Sequence, residues 1–159
     1  MSTVLTTRDL KKFMEARGVE GEMIYLEAEQ AKTSASAASA VGCPLSQIAK
    51  NIVLNYSSEY CVVVIPGDRK VDLEKFSQVV GSKVGLAKPD EVLRITDYPV
   101  GAVPPFGHLN KLKVYVDKSL LRHDTVYTSG GAVNVLLKIR TDLLLKAVDG
   151  EVVEFCNPE

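Results

Sequence analysis

Apolar residues recur at helical spacing near the start of the chain, where Leu10, Phe13 and Met14 share one face. Thr6 or Thr7 stands where an N-cap is needed and Gly18 where a helix stops, which predicts a first helix between them. The stretch from Met23 to Leu26 is rich in strand formers. The small-residue run TSASAASAVG then predicts a short helix opened by Thr33 or Ser34 and closed by Gly42. Pro44 suits the start of one more helical turn, PLSQIAK.

Two strong strands follow, Asn51–Tyr56 and Tyr60–Pro66, separated by Ser57-Ser58-Glu59 as a short hairpin connection. Asp72 can cap a helix whose Leu73, Phe76 and Val79 or Val80 share a face and which Gly81 ends. PDEVLRIT predicts another helix, with Pro89 in the favoured first position after Lys88. LKVYVD and TVYTS read as strands, VNVLLKI continues the pattern after Gly130-Gly131, and Thr141 is expected to cap a last helix, DLLLKAV. Strands outnumber helices without strict alternation, and no repeat or linker divides the chain. The pattern predicts an α+β fold, one domain over residues 1–159, with a mixed, barrel-like β-sheet flanked by helices.

One segment fits neither period. GAVPPFGHLN, residues 101–110, carries two prolines without N–H groups and a glycine on either side of them. It must be a loop, stiffened by Pro104 and Pro105, with Gly101 and Gly107 where backbone can approach a neighbour closely. Such a loop is either a preformed wall of a binding site or a structural turn whose Phe106 plugs the core.

Composition narrows the function classes. Nineteen basic and twenty acidic side chains in 159 residues leave no global charge to announce a nucleic-acid or membrane partner. Lys111, Lys113, Lys118, Arg122, Lys138 and Arg140 nonetheless concentrate positive charge between residues 101 and 140, against Asp117 and Asp124. The three cysteines, Cys43, Cys61 and Cys156, are far apart and lack metal-ligand spacing, so neither a disulfide framework nor a metal centre is expected, and a reducing, cytoplasmic setting fits. No apolar run is long enough to span a bilayer and the N-terminus has no signal-like core.

Nucleotide-binding glycine loops, zinc-protease and nucleophile-elbow motifs are absent. Lys50, between IA and NIVL, is either a lysine favoured by a helix C-terminus or a cation aimed into a cleft. His108 follows the stiff loop directly and is a candidate contact. Ser129-Gly130-Gly131, between two strands, is either a tight bend or a nest of amides for an anion.

The order of these pieces resembles a known family. The series VGCPLSQIAKNIVL, VVVIPGDRKVDLEKFSQVVGSKVGLAKPDEV, GAVPPFGH and KVYVDKSLLRHDTVYTSGG is similar to the YbaK family, editing domains related to the insertion domain of prolyl-tRNA synthetases. The resemblance runs from about residue 7 onward. It implies that Lys50 lies in the active cleft and that Gly101 and Pro105 belong to its G-x-x-x-P loop, with Phe106, Gly107, His108, Ser129 and Gly130 as further substrate contacts. Pro104 stands where the family often has serine. The implied activity is metal- and cofactor-free hydrolysis of a mischarged small amino acid from tRNA, cysteine or alanine on proline tRNA first. The implied partners are the aminoacylated acceptor end of tRNA and an aminoacyl-tRNA synthetase. Two alternatives remain, a non-catalytic module binding tRNA or a synthetase, and a hydrolase of another small aminoacyl ester.

Overall fold

The structure, a computed structural model, describes residues 4–148 and 150–158. In chain order its elements are α1 (Thr7–Arg17), β1 (Glu22–Tyr25), α2 (Ser34–Val41), β2 (Ala49–Tyr56), β3 (Glu59–Pro66), β4 (Arg69–Val71), α3 (Leu73–Val80), β5 (Val84–Leu86), α4 (Pro89–Thr96), β6 (Lys113–Asp117), β7 (Thr125–Ala132), β8 (Val135–Arg140), α5 (Thr141–Ala147), β9 (Gly150–Val153) and β10 (Cys156–Pro158). This is the α+β architecture that the hydrophobic pattern predicts.

Local chemistry places most helix ends. Asp9 accepts from the Thr6 amide at 2.8 Å, Thr33 Oγ1 accepts from Ser36 N at 3.0 Å, and Asp72 Oδ1 accepts from Lys75 N at 3.0 Å. Gly18, Gly42 and Gly81 close three helices with φ between 66° and 74°, in the left-handed region where a Cβ is disfavoured.

β5, β2, β3, β6 and β9 form a mixed sheet, antiparallel from β5 to β3 and parallel from β3 to β9. β1, β8 and β7 form a second, antiparallel sheet. A parallel bridge from Ile48 to Tyr127 joins the two at the entry to β2. β4 and β10 pair in a separate two-stranded ribbon.

The uninterrupted run from Cys61 to Ile65 follows from the position of β3 at the centre of the mixed sheet. Val62 and Val64 face a core containing Leu10, Val114, Val116, Val126, Leu137 and Ile139. Cys61, Val63 and Ile65 face a second core with Phe76, Tyr115 and Phe155. Both faces are buried, so alternation disappears, and each such side chain contributes about 1.5–3 kcal/mol. Asp117 closes the far end of β6. Its Oδ1 accepts from Phe155 N at 2.9 Å and Cys156 N at 3.1 Å, and its Oδ2 from the Ser119 amide and hydroxyl. Burial opposes its charge, but these hydrogen bonds outweigh burial and hold its carboxyl below the usual carboxylate range.

Four expectations change. β2 begins at Ala49, so Lys50 lies inside a strand opposite Ile65, and the helical turn before it ends at Gln47. The β2–β3 hairpin turns on Ser57 and Ser58 alone, both at positive φ, and Glu59 already pairs with Tyr56. β7 runs through Ser129-Gly130-Gly131 to Ala132 with an irregular register there, and the chain reverses at Val133-Asn134 instead. Thr141 is the first residue of α5, and its hydroxyl donates to His123 O at 2.5 Å instead of capping the helix.

Candidate active site

β2 is paired along one edge with β3 throughout, but its other edge meets β5 only over Leu54–Tyr56. Beyond the bridge at Ile48, residues 50–52 therefore present an unpaired strand edge, and a cavity of about 320 Å³ lies against it. Its walls are the start of α2 with Ala31, Thr33, Ser34 and Ala37, the β7–β8 hairpin with Thr128, Ser129, Ala132 and Val133, and the loop residues Val100, Gly101 and Val103. The volume lies in the range of small-molecule sites, and the lining is mostly small and apolar with four hydroxyls.

Gly101 stands at φ 88°, a conformation that side-chain-bearing residues rarely adopt. A Cβ there would meet Val133 Cγ1 at 3.5 Å, so backbone geometry rather than crowding calls for glycine. Among the described residues its amide has no hydrogen-bond partner, whereas the next amide, of Ala102, donates to Pro99 O at 3.0 Å. An unpaired amide beside an open strand edge can hold an oxyanion.

The loop is built as a wall. Residues 102–106 are all buried, and two side chains clamp its backbone. Asn51 Nδ2 donates to Val103 O at 3.0 Å and to Thr128 Oγ1 at 2.6 Å, tying β2, the loop and β7 together. His108 Nε2–H donates to Pro104 O at 2.6 Å. Burial pushes the His108 pKa down, against the effect of that hydrogen bond, so the ring is neutral at pH 7.

Of the residues expected at the site, Lys50, Gly101 and Ser129 line this cavity together. Lys50 shares a strand face with Ile52 and Leu54, opposite to that of Asn51, so it borders the cavity at the strand edge. Burial pushes the Cys156 thiol up while the charges of Arg69 and Lys50 act the other way, which puts the Lys50 ammonium within electrostatic reach of that thiol. Gly130 is absent from the lining. A Cβ there would fall 2.6 Å from Val135 Cγ1 and 3.1 Å from Met23 Sδ, so packing against β8 and β1 accounts for the glycine.

Pro105, Phe106, Gly107 and His108 line a different cavity, of about 410 Å³. Phe106 is 4 % exposed and stacks on Phe13 at 5.7 Å, so it does plug the core. The loop thus passes through the core and opens into one cavity at Gly101 and another from Pro105 onward. Sequence reasoning missed Asn51, whose only signal is a polar residue on the face of β2 that otherwise presents Ala49 and Val53 to the core. Among the described residues no three His, Cys, Asp or Glu side chains gather as a metal group, and no helix is long and apolar enough to cross a membrane.

A family model described as the aminoacyl-tRNA editing domain matches residues 28–147. The chain is 33% identical over 121 residues to the uncharacterized protein YwhH of Bacillus subtilis, with 76% of each chain covered. It is 30% identical over 120 residues to the multifunctional Ser/Thr-tRNA deacylase ProXp-y of Escherichia coli, with 72% of each covered. A solved structure described as that of a candidate trans-editing enzyme for prolyl tRNA synthetase superposes with a TM-score of 0.91 at 29% identity, covering 98% of this chain and 99% of that one.

Proposed function

This chain belongs to the aminoacyl-tRNA editing domain family, and on that premise we propose that it is a trans-acting deacylase that hydrolyses a mischarged small amino acid from the 3′ end of tRNA. The observation that carries the reading is the unpartnered Gly101 amide, held at φ 88° across a small-residue cavity from the open edge of β2. Its biological rationale is energetic. A synthetase pocket gains only about 1–3 kcal/mol per methylene, too little to reject smaller or isosteric amino acids, so a second site must remove them.

In this mechanism the aminoacyl group enters between α2 and the β7–β8 hairpin, with its side chain against Ala31, Ala37 and Ala132. Water adds to the ester carbonyl carbon, and the oxygen that becomes negative is held by the Gly101 amide. The attacking water gives up a proton, the tetrahedral intermediate collapses, the bond to the ribose oxygen breaks as that oxygen takes up a proton, and the free amino acid and the tRNA hydroxyl leave. The stiff loop holds the donor in place before substrate arrives, and Lys50, whose side chain lies on the Ile52 and Leu54 face of β2, acts on the bound ester only as a charge reaching round the strand edge.

Cysteine and alanine on proline tRNA are the first substrates of this reading. Serine and threonine, named for the Escherichia coli relative, form a second, favoured by the hydroxyls of Thr33, Ser34, Thr128 and Ser129 around the cavity. Single-turnover deacylation over a panel of proline, alanine, serine, threonine and cysteine tRNAs carrying these amino acids tests both. Lys50→Ala should lower the rate on the cleaved substrate by about 10²–10³-fold while the fold survives. A loss below tenfold refutes the role of Lys50, and binding of every tRNA without hydrolysis of any refutes the deacylase reading in favour of a binding module.

A further inference from the structure

We propose that the second cavity, between the C-terminal ends of α1 and α5, binds the sugar–phosphate backbone of the same tRNA whose aminoacyl end occupies the Gly101 cavity; the proposal rests on the deacylase reading. This cavity of about 410 Å³ is lined on two sides by Arg17 and Lys146. A second hollow of about 270 Å³ adjoins it and shares Phe13, Arg17, Lys146 and Ala147. Arg17 and Lys146 therefore stand at the neck of one groove, each contributed by the last turn of a different helix.

The cation from α1 is positioned, not merely exposed. The Arg17 guanidinium lies 4.7 Å from the centre of the Phe13 ring, whose other neighbour is Phe106 at 5.7 Å and an interplanar angle of 18°. That contact holds the guanidinium at the groove, and among the described residues it has no ion-pair partner. A planar fork presented this way matches a phosphate. The basic surface that the sequence suggests for residues 101–140 is, by contrast, partly neutralised. Lys113 pairs with Glu151 at 3.0 Å, Arg122 with Asp68 at 3.5 Å and Arg140 with Asp142 at 2.7 Å.

Connectivity relates the groove to the candidate active site. The stiff loop has Gly101 in one cavity and His108 in the other. Seven residues span at most about 25 Å, which is about seven nucleotide steps along one strand of a nucleic-acid helix. The linings of the two cavities at Gly101 and His108 are therefore no more than about 25 Å apart, a separation that a tRNA acceptor arm is long enough to bridge around the buried loop.

The test measures binding of unacylated proline tRNA by fluorescence anisotropy between 50 and 200 mM KCl. The parent protein is compared with an R17Q/K146Q double variant and a charge-matched K12Q/K118Q control. Losing two phosphate contacts should flatten the plot of log affinity against log salt by about 1.8. The parent should then lose roughly 12-fold more affinity than R17Q/K146Q across this fourfold salt range. On the cleaved aminoacyl-tRNA, R17Q/K146Q should raise KM and leave kcat unchanged. Equal slopes for R17Q/K146Q and the control overturn the proposal. So does an outcome in which AMP binding needs Arg17 and Lys146 while tRNA binding does not, which would make the cavity a site for free nucleotides. Circular dichroism checks folding, and the single variants R17Q and K146Q, each expected to flatten the slope by about 0.9, keep the test decisive if the double variant does not fold. Unacylated tRNA has no ester to cleave, so this result stands apart from success or failure of the deacylation panel.

Discussion

Replacing Asn51 by alanine should loosen the wall of the candidate active cavity and leave the rest of the protein folded. The amide of Asn51 donates to Val103 O at 3.0 Å and to Thr128 Oγ1 at 2.6 Å, while its own Oδ1 is buried without a partner. Val103 and Thr128 are 4 % and 1 % exposed, so neither freed acceptor reaches water directly. An abandoned buried acceptor costs about 1–3 kcal/mol. The Thr128 hydroxyl can rotate toward another partner, and removing the orphaned Oδ1 recovers part of the loss, so the net should be that of one acceptor, about 1–3 kcal/mol. For a chain of this size that lowers Tm by roughly 3–9 °C. Gly101 lies two residues from the freed carbonyl, so the deacylation rate should fall with it, through loss of positioning and not of a group that touches substrate. Asn51→Asp should be worse, because it sets a carboxylate oxygen against the Val103 carbonyl. Urea unfolding together with single-turnover deacylation decides the matter. If Asn51→Ala stays within 0.5 kcal/mol of the parent and keeps its rate, the clamp has no role.

Gly101→Ala meets no clash at 3.5 Å but must adopt φ 88°, so it should cost about 1–2 kcal/mol in urea unfolding, and Gly101→Asn less. Equal stability of all three would show that the loop relaxes freely. Asp117 is held ionised in the fold, so its contribution is fully present above the unfolded value near 3.9 and is lost as pH falls through its lower native value. Asp117→Asn should abolish that part of the acid dependence of unfolding, and an unchanged acid limb refutes it. Burial pushes the Cys61 thiol up to about 12, so in the native protein at pH 8 it should resist iodoacetamide, with the partly buried Cys43, whose thiol is also raised by burial, modified first by mass spectrometry.

Local dihedral preference and periodicity are written residue by residue, and they sufficed for much of the fold. The caps at Thr33 and Asp72, the stops at Gly18, Gly42 and Gly81, and the strands β2 and β3 follow from neighbours a few positions apart. The stiffness of residues 101–110 follows from two prolines, and Lys50 with Gly101 was legible as a pair only through resemblance to a family. What tertiary structure decided depends on partners far along the chain. Pairing with Ile65 drew Lys50 into a strand, because a hydrogen-bonded edge extends wherever its neighbour continues. The short strands β4, β5, β9 and β10 carry little pattern of their own and exist because an adjacent strand offers an edge. The division of one loop between two cavities, with Gly101 lining the same cavity as Lys50 and His108 lining the other, is set by burial of residues 102–106. The joining of Asn51 to Thr128, 77 positions away, comes from β2 and β7 lying against each other, and no local spacing encodes it.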